Sequence, residues 1–319
     1  NRADSPWYPT MRIFRQPSPG NWTSVVAAVI AALQQQPSPD AAKHLAKAAD
    51  FHQKDQLAQA IEQYQHAAEA DPANTSLLRM LAGALRENSQ VDQARGTLER
   101  AIRLQPDDAE THHELGLLLS GLGQNEQALG PYRRAMELQP DCADFHFNRG
   151  NAHYALGQAA DAKSAFQQAT KLDPALAAAH FNLGQVAQDE GDFLTAAQAY
   201  KRAVDLDGDY TDAMVNLGLT LSDLEETALA EECFWHILQG QPGQPMAGVN
   251  MAKLQLERDD PSAAEATCRS VLQHHSRHPE TLLNLGVALQ AQNRVEEAIA
   301  AFEEFTAADP QNPDGPFNL

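Results

Sequence analysis

The sequence predicts an all-α solenoid of about eight 34-residue helix-turn-helix repeats, preceded by a short non-repeat segment. Three observations predict it. Glycines recur at multiples of 34 residues, at Gly116, Gly150, Gly184, Gly218 and Gly286. Prolines recur on the same interval, at Pro72, Pro106, Pro140, Pro174, Pro242 and Pro310. One alanine column has no exception: Ala60, Ala94, Ala128, Ala162, Ala196, Ala230, Ala264 and Ala298.

Composition supports helices and an acidic, non-membrane protein. Apolar residues make up 43% of the chain but aromatic residues only 6%, which is typical of helices packed with small side chains. The formal charge of -20 disfavours binding to nucleic acid or to an anionic membrane surface. The longest apolar run, Val25 to Leu33, is far shorter than the ~20 residues that span a bilayer. We therefore predict no membrane insertion.

The cysteines indicate a reducing compartment. Cys142, Cys233 and Cys268 are odd in number and lack CxxC spacing, so neither a disulfide framework nor a zinc site is predicted. Free thiols of this kind favour a cytoplasmic location. The chain opens with Asn rather than Met and ends at Leu319 within a repeated phrase, so we expect a fragment.

Residues 1–36 do not fit the repeat period. Trp7 to Gln16 alternates aromatic and basic residues like a short strand, and Trp22 to Leu33 has the spacing of an amphipathic helix. The phrase from Asp4 to Gln16 resembles the carboxyl-terminal tail of bacterial two-lobed glycosyltransferases that are fused to repeat arrays. That resemblance implies a catalytic domain upstream of Asn1. The alternative is an unrelated amino-terminal cap for the solenoid.

Residues 37–40 are predicted to be a linker, because Pro37 and Pro39 stop the preceding helix. Numbering repeat positions from Ala41 gives eight uninterrupted repeats over residues 41–312, and a truncated ninth over 313–319. The repeats are 41–74, 75–108, 109–142, 143–176, 177–210, 211–244, 245–278 and 279–312.

Each repeat encodes two closely packed helices. Position 8 is Ala or Gly and position 20 is Ala, so the helices approach each other where side chains are small. Position 24 carries a large apolar residue in every repeat except repeat 7, which has Cys268. Gly123, Gly157 and Gly191 at position 15 end the first helix, and the recurring proline at position 32 ends the second. Ile237 and Val271 replace the usual Ala at position 27, which predicts wider helix spacing in repeats 6 and 7.

This pattern of small residues, an aromatic residue and a proline on a 34-residue period resembles the tetratricopeptide repeat (TPR) family over about 270 residues. The resemblance implies helix pairs stacked into a right-handed superhelix. It also implies that the first helix of each repeat lines a concave groove.

One polar column carries the functional hypothesis. Position 6 is asparagine from repeat 4 onward, at Asn148, Asn182, Asn216, Asn250, Asn284 and Asn318. Helix propensity does not favour Asn, whereas its amide can both donate to and accept from an extended peptide backbone. The column resembles the asparagine ladder in the repeat arm of protein O-GlcNAc transferases, carried here by the phrase His180-Phe181-Asn182-Leu183-Gly184. Duplication of one ancestral repeat is the alternative explanation.

Phe147, Phe181, Asn151 and Gln185 are predicted to line side-chain pockets beside the column. Acidic residues on the same helices favour ligands with some basic or hydroxyl content; they are Asp144, Asp189, Asp212 and Asp223. The basic residues of a two-carboxylate clamp are missing, because Phe147, Asp212 and Asn216 occupy those positions.

No catalytic residue, metal ligand set or cofactor site is predicted. His112, His146 and His180 share position 4 and are interpreted as stacked packing residues. His274, His275 and His278 cluster at a turn without a Cys or Asp spaced to complete a metal site.

The resulting hypothesis is a protein-binding scaffold that holds an extended peptide segment in its groove. The alternative is the substrate-recognition arm of a larger glycosyltransferase. A third reading is a structural scaffold that self-associates.

Overall fold

The computed structural model describes residues 37–310, and every regular element in that range is an α-helix. The helices are α1 Pro39–Gln53, α2 Leu57–Ala70, α3 Thr75–Glu87, α4 Val91–Leu104, α5 Ala109–Gly121, α6 Asn125–Leu138, α7 Ala143–Ala155, α8 Ala159–Leu172, α9 Ala177–Asp189, α10 Phe193–Leu206, α11 Thr211–Asp223, α12 Thr227–Gly240, α13 Pro245–Glu257, α14 Pro261–His274, α15 Pro279–Ala291 and α16 Val295–Ala308. Short turns join these consecutive helices, which confirms the predicted all-α solenoid of helix-turn-helix repeats.

The chain divides after Gly157 into two compact units, one holding α1–α7 and the other α8–α16. Within each unit, consecutive helices pack against each other. First helices of neighbouring repeats also touch: α3 with α5 and α5 with α7 in the first unit, α11 with α13 and α13 with α15 in the second. Each unit therefore presents first helices side by side.

The array begins earlier than the sequence predicts. Pro39 and Asp40, assigned to the linker, are the first two residues of α1. Ser38 caps this helix, because its Oγ accepts a hydrogen bond from the Ala41 backbone N–H over 3.3 Å. Pro39 occupies the first helical position, where its missing N–H costs nothing and its fixed φ suits the helix. The proline thus starts a helix here rather than stopping one.

The turn inside every repeat has left-handed backbone at position 15. Gly123, Gly157 and Gly191 have φ angles of 72°, 71° and 76°, as their spacing predicts. The sequence did not predict the other five residues in this conformation, which are Asp55, Ser89, Glu225, Asp259 and Asn293. The left-handed residue lets the next N–H reach back to the helix, as when the Gln124 backbone N–H donates to the Leu119 carbonyl over 2.9 Å.

Glycine at position 8 makes room for the aromatic ring at position 24. A methyl group built on Gly116 would lie 2.5 Å from Cε1 of Tyr132, and one on Gly286 would lie 2.3 Å from Cε1 of Phe302. The position-20 alanines are at most 3% exposed. This close packing, rather than turn geometry, explains the glycine column.

Repeat 7 pairs its larger position-27 residue with a glycine. Its Val271, which replaces the usual Ala at position 27, is buried opposite Gly248. A methyl group on Gly248 would lie 2.2 Å from Val271 Cγ2. The larger side chain is therefore matched by a smaller one on the adjacent first helix.

Candidate functional site

The asparagine column occupies one position on successive first helices. Asn148 lies on α7, Asn182 on α9, Asn216 on α11, Asn250 on α13 and Asn284 on α15, and all five are half-buried. Because α11 contacts α13 and α13 contacts α15, the last three lie on neighbouring helices. Asn318 lies outside the described residues, as do the segments 1–36 and 313–319.

The amide nitrogens of three of these asparagines donate hydrogen bonds inside the array. Asn284 Nδ2 donates to the Val249 backbone carbonyl of the preceding repeat over 3.1 Å. Asn250 Nδ2 donates to the Met246 carbonyl one turn earlier over 2.8 Å. Asn148 Nδ2 reaches His113 Nε2 of the preceding repeat over 2.9 Å and the Asp144 carbonyl over 3.0 Å.

These bonds fix how each amide is turned. An amide carries its donor and its acceptor on opposite branches, so an Nδ2 group directed at the array leaves Oδ1 directed elsewhere. Within residues 37–310, no group donates to Oδ1 of Asn148, Asn250 or Asn284. In each of the three asparagines, Oδ1 therefore remains available as an acceptor.

Phe181 is half-buried and packs against two aromatic side chains of its own repeat. Its ring packs 5.0 Å from that of Tyr210 and 5.7 Å from that of Tyr200, measured between ring centroids. It joins the core cluster that contains Tyr200 and Leu217. Position 5 lies three residues before the buried Gly184 at position 8, on the same side of the helix, and this explains why an apolar residue there packs inward.

The other predicted pocket residues keep only partial exposure. Phe147 and Asn151 on α7 are half-buried, and so is Gln185 on α9. Position 5 of the preceding repeat shows the same packing role, because His113 is only 8% exposed and lies against Phe145.

Two side chains near the column were not singled out from the sequence. Met246 is 49% exposed and lies one turn before Asn250, at a position where its neighbours Asp212 and Glu280 are acidic. Lys253 lies one turn after Asn250 and reaches Glu257 over 3.9 Å. For Met246, the available signal in the sequence was the acidic residue at the same position of the repeat on each side.

The position-4 histidines bind backbone rather than stack on one another. Nε2 of His112 and of His146 lies 2.9 Å from the carbonyl of the proline six residues earlier, and the equivalent distance for His180 is 3.2 Å. Burial lowers the pKa of His180. These rings tie each first helix to the loop before it.

The thiols and the remaining histidines show no reactive arrangement in the described part of the chain. Cys142, Cys233 and Cys268 are free, and burial raises the pKa of Cys233 to about 11 and that of Cys268 to about 12. Across residues 37–310, no three His, Cys, Asp or Glu side chains are grouped so as to hold a metal ion. None of the helices described there has both the length and the apolar character needed to cross a membrane.

Family models recognise the repeats. Models of the tetratricopeptide repeat match residues 149–211, 181–234 and 249–313, and another such model matches 51–115. A further model, described as a TPR repeat, matches 121–157. No curated protein matches the chain.

Solved structures share the architecture. PilW, described as a widely conserved type IV pilus biogenesis factor, aligns with a TM-score of 0.59 at 17% identity over 66% of this chain and 97% of its own. PilF of Pseudomonas aeruginosa aligns with a TM-score of 0.56 at 18% identity, covering 66% of this chain and 96% of that one. A tetratricopeptide repeat protein from Parabacteroides merdae gives 0.54 at 15% identity, over 79% of this chain and 100% of that one. Similarity at this level of identity shows a common fold.

Proposed function

Because the chain belongs to the tetratricopeptide repeat family, we propose that it is a protein-binding scaffold that holds an extended peptide along the first helices of repeats 5 to 8. The peptide contacts in these repeats are assigned to their asparagine column, with Gln185 one turn further along α9. Within the first unit, Asn148 and Asn151 of α7 are assigned the same kind of contact. The role is binding, and no catalytic role is assigned to this chain.

The observation that carries the proposal is the fixed orientation of the amides. Asn148, Asn250 and Asn284 donate from Nδ2 within the array, so their Oδ1 atoms are held ready to accept. An extended peptide offers a backbone N–H from every non-proline residue and needs acceptors for those that its partner buries. A row of oriented acceptors binds the backbone without selecting its sequence.

The spacing of the helices suits this mode. Packed helices lie about 8 to 10 Å apart, and a strand advances about 3.3 Å per residue. Asparagines on touching first helices such as α13 and α15 would therefore meet a peptide at about every third residue. Each contact is expected to contribute about 1 kcal/mol net.

The same bonds would also be made if these asparagines only stabilised the array, so the experiment must distinguish that structural role from peptide binding. Asn284 links its helix to the Val249 carbonyl of the preceding repeat, so replacing it could loosen the array instead of the ligand. Asn→Ala removes donor and acceptor together, whereas Asn→Asp keeps an acceptor and replaces the donor with a second, negatively charged acceptor. A binding role therefore predicts that the aspartate variants retain more affinity than the alanine variants.

The experiment uses a peptide selected on the full chain from a library of unstructured peptides, with affinity followed by fluorescence anisotropy. The triple variant Asn216→Ala, Asn250→Ala and Asn284→Ala is expected to bind about 100-fold more weakly while its helical circular dichroism persists. Asn88→Ala, at an exposed asparagine outside the column, is the matched control and should bind normally. Unchanged affinity in the triple variant would contradict the proposal, as would a loss that merely follows a loss of helicity.

The glycosyltransferase-arm alternative depends on residues 4–36, which lie outside the described residues and outside every matched stretch. Sequencing the gene on both sides of this chain tests it. A sugar-nucleotide-binding domain on either side would support an arm that presents acceptor proteins. Its absence on both sides would leave the scaffold proposal standing alone.

A further inference from the structure

We propose that a second surface of this protein, the groove between α10 and α12, docks an amphipathic helix of a partner protein that carries basic residues beside its apolar anchors. This surface is formed by repeats 5 and 6 and is separate from the asparagine column. The proposal therefore does not depend on the peptide-binding function.

The groove is open, apolar and built from three helices. Its floor is formed by Met214, Leu217 and Leu221 of α11, and its volume is about 400 Å³. Val204 of α10 stands on one side and Leu229 of α12 on the other. The floor residues are largely buried among their neighbours, whereas Leu229 is 48% exposed at the rim.

The floor lies on a different face of α11 from the asparagine column. At about 100° per residue, Leu217 and Leu221 are turned roughly 100° and 140° away from Asn216. Met214 lies roughly 160° away in the same direction. A ligand in this groove would therefore leave the Asn216 amide free.

The shape of the floor selects a helix. Met214 and Leu221 are seven residues apart on α11, which is two helical turns or about 10 Å. Apolar anchors at i, i+3 and i+7 of a bound helix span the same length. Leu194 of α10 is 67% exposed but does not line the groove.

In the part of the chain that the structure describes, the equivalent groove in repeat 8 is crossed by an ion pair, whereas the repeat-6 groove is not. Leu282, Leu285 and Leu289 form its floor at the same repeat positions, and its volume is about 500 Å³. There, however, Arg269 of α14 reaches across to Glu297 of α16 over 3.6 Å. At the repeat-6 groove, Lys201 instead bonds to Asp205 on its own helix, and among the described residues no ion pair joins α10 to α12.

Charge decides the kind of partner. Residues 193–240 contain two basic side chains, Lys201 and Arg202, against nine Asp or Glu side chains. Lys201 and Glu232 both line the groove, but Lys201 is paired with Asp205, whereas Glu232 has no ion-pair partner among the described residues. A second copy of the chain would bring the same acidic surface and be repelled, whereas a basic amphipathic helix complements it.

The test uses the full chain and a synthetic helical peptide with leucines at i, i+3 and i+7 and lysines elsewhere, measured by isothermal titration calorimetry. Leu229→Ser is expected to weaken binding about tenfold, because it removes an apolar wall of the groove. Leu194→Ser makes the same change at an exposed leucine outside the groove and is the matched control. A scrambled peptide of identical composition, which cannot form an apolar stripe, should bind far more weakly than the designed one.

Equal binding of the scrambled peptide would overturn the proposal, because charge alone would then explain the association. Equal effects of the two leucine variants would also overturn it. A self-associating wild-type chain that Leu229→Ser converts to a monomer, seen by sedimentation without peptide, would assign the groove to a second copy instead. The Asn216→Ala, Asn250→Ala and Asn284→Ala variant should bind this peptide like the wild type.

Discussion

Repeat 3 (109–142) and repeat 7 (245–278) form the same pair of helices but fill the space between them with different side chains. In repeat 3, Gly116 admits the ring of Tyr132, and His113 stacks between Tyr132 and the Phe145 ring of the next repeat. Repeat 7 has no aromatic residue at these positions.

In repeat 7, Ala252 and Cys268 occupy the positions of Gly116 and Tyr132, and both are fully buried. The close contact moves to another pair, Gly248 against Val271. The difference teaches that the fold requires matched volumes across the two helices rather than a particular residue at each position. Either solution fills the space.

The largest expected difference between the two repeats is how the free energy of unfolding changes as the pH falls. Burial lowers the pKa of His113 to about 4, and Asp144 opposes that effect only in part. An unfolded histidine titrates near 6.5. The stability that depends on neutral His113 is therefore fully present above about pH 6.5 and is lost as the pH falls toward 4, by up to about 3 kcal/mol.

His113→Phe, which copies the phenylalanine that repeats 4 and 5 carry at this position, should remove that loss. Urea unfolding followed by circular dichroism between pH 7 and pH 5 measures this loss of stability.

Repeat 7 supplies the control, because hydrogen bonds from Arg269, Gln292 and Arg294 lower the pKa of Glu265 to about 2. Its stabilisation is lost only as the pH falls from about 4.5 toward 2, so Glu265→Gln should leave the pH 7 to 5 difference unchanged. An equal pH slope in wild type and His113→Phe would refute the assignment.

The next effect tests whether Gly248 and Val271 act as a pair. Gly248→Ala should destabilise the protein by about 1 to 3 kcal/mol, because the new methyl group would overlap Val271. Val271→Ala alone should cost a comparable amount by opening a cavity. The double variant restores alanine at position 27, as in repeats 1 to 5, and should be more stable than the sum of the single changes predicts.

Gly96→Ala is the matched control for this cycle. Gly96 lies inside α4 with no atom within 4 Å of the added methyl group, so alanine there should stabilise the helix by about 1 kcal/mol. Strict additivity of Gly248→Ala and Val271→Ala in urea unfolding would mean that the two residues do not compensate each other.

Much of the fold was predictable because each recurring residue type marks a repeat position where the packing of the two helices restricts side-chain size. The position-20 alanines and the position-24 rings predict closely packed helix pairs on sequence spacing alone. Compensation between Gly248 and Val271 was not predictable, because it depends on which side chains face each other across two helices. Of the site, the positions of the asparagines were predictable. The packing of Phe181 against Tyr210 and the direction of the Asn284 amide were not, because they depend on residues that are distant in sequence.

The smallest expected effect separates the two repeats at their inner turns. Repeat 3 has Gly123 in the left-handed conformation at φ 72°, whereas repeat 7 holds Asp259 there at φ 60°. The Asp260 backbone N–H donates to the Gln255 carbonyl over 2.9 Å, a bond that fixes this conformation whichever residue precedes it. Asp259→Gly relieves the strain of a side chain at positive φ but makes the unfolded chain more flexible, so a net gain of only about 0.5 kcal/mol is expected. Gly123→Asp should lose about 1 kcal/mol. If both changes destabilise equally in urea unfolding, the turn in repeat 7 depends on the aspartate itself rather than on its backbone conformation.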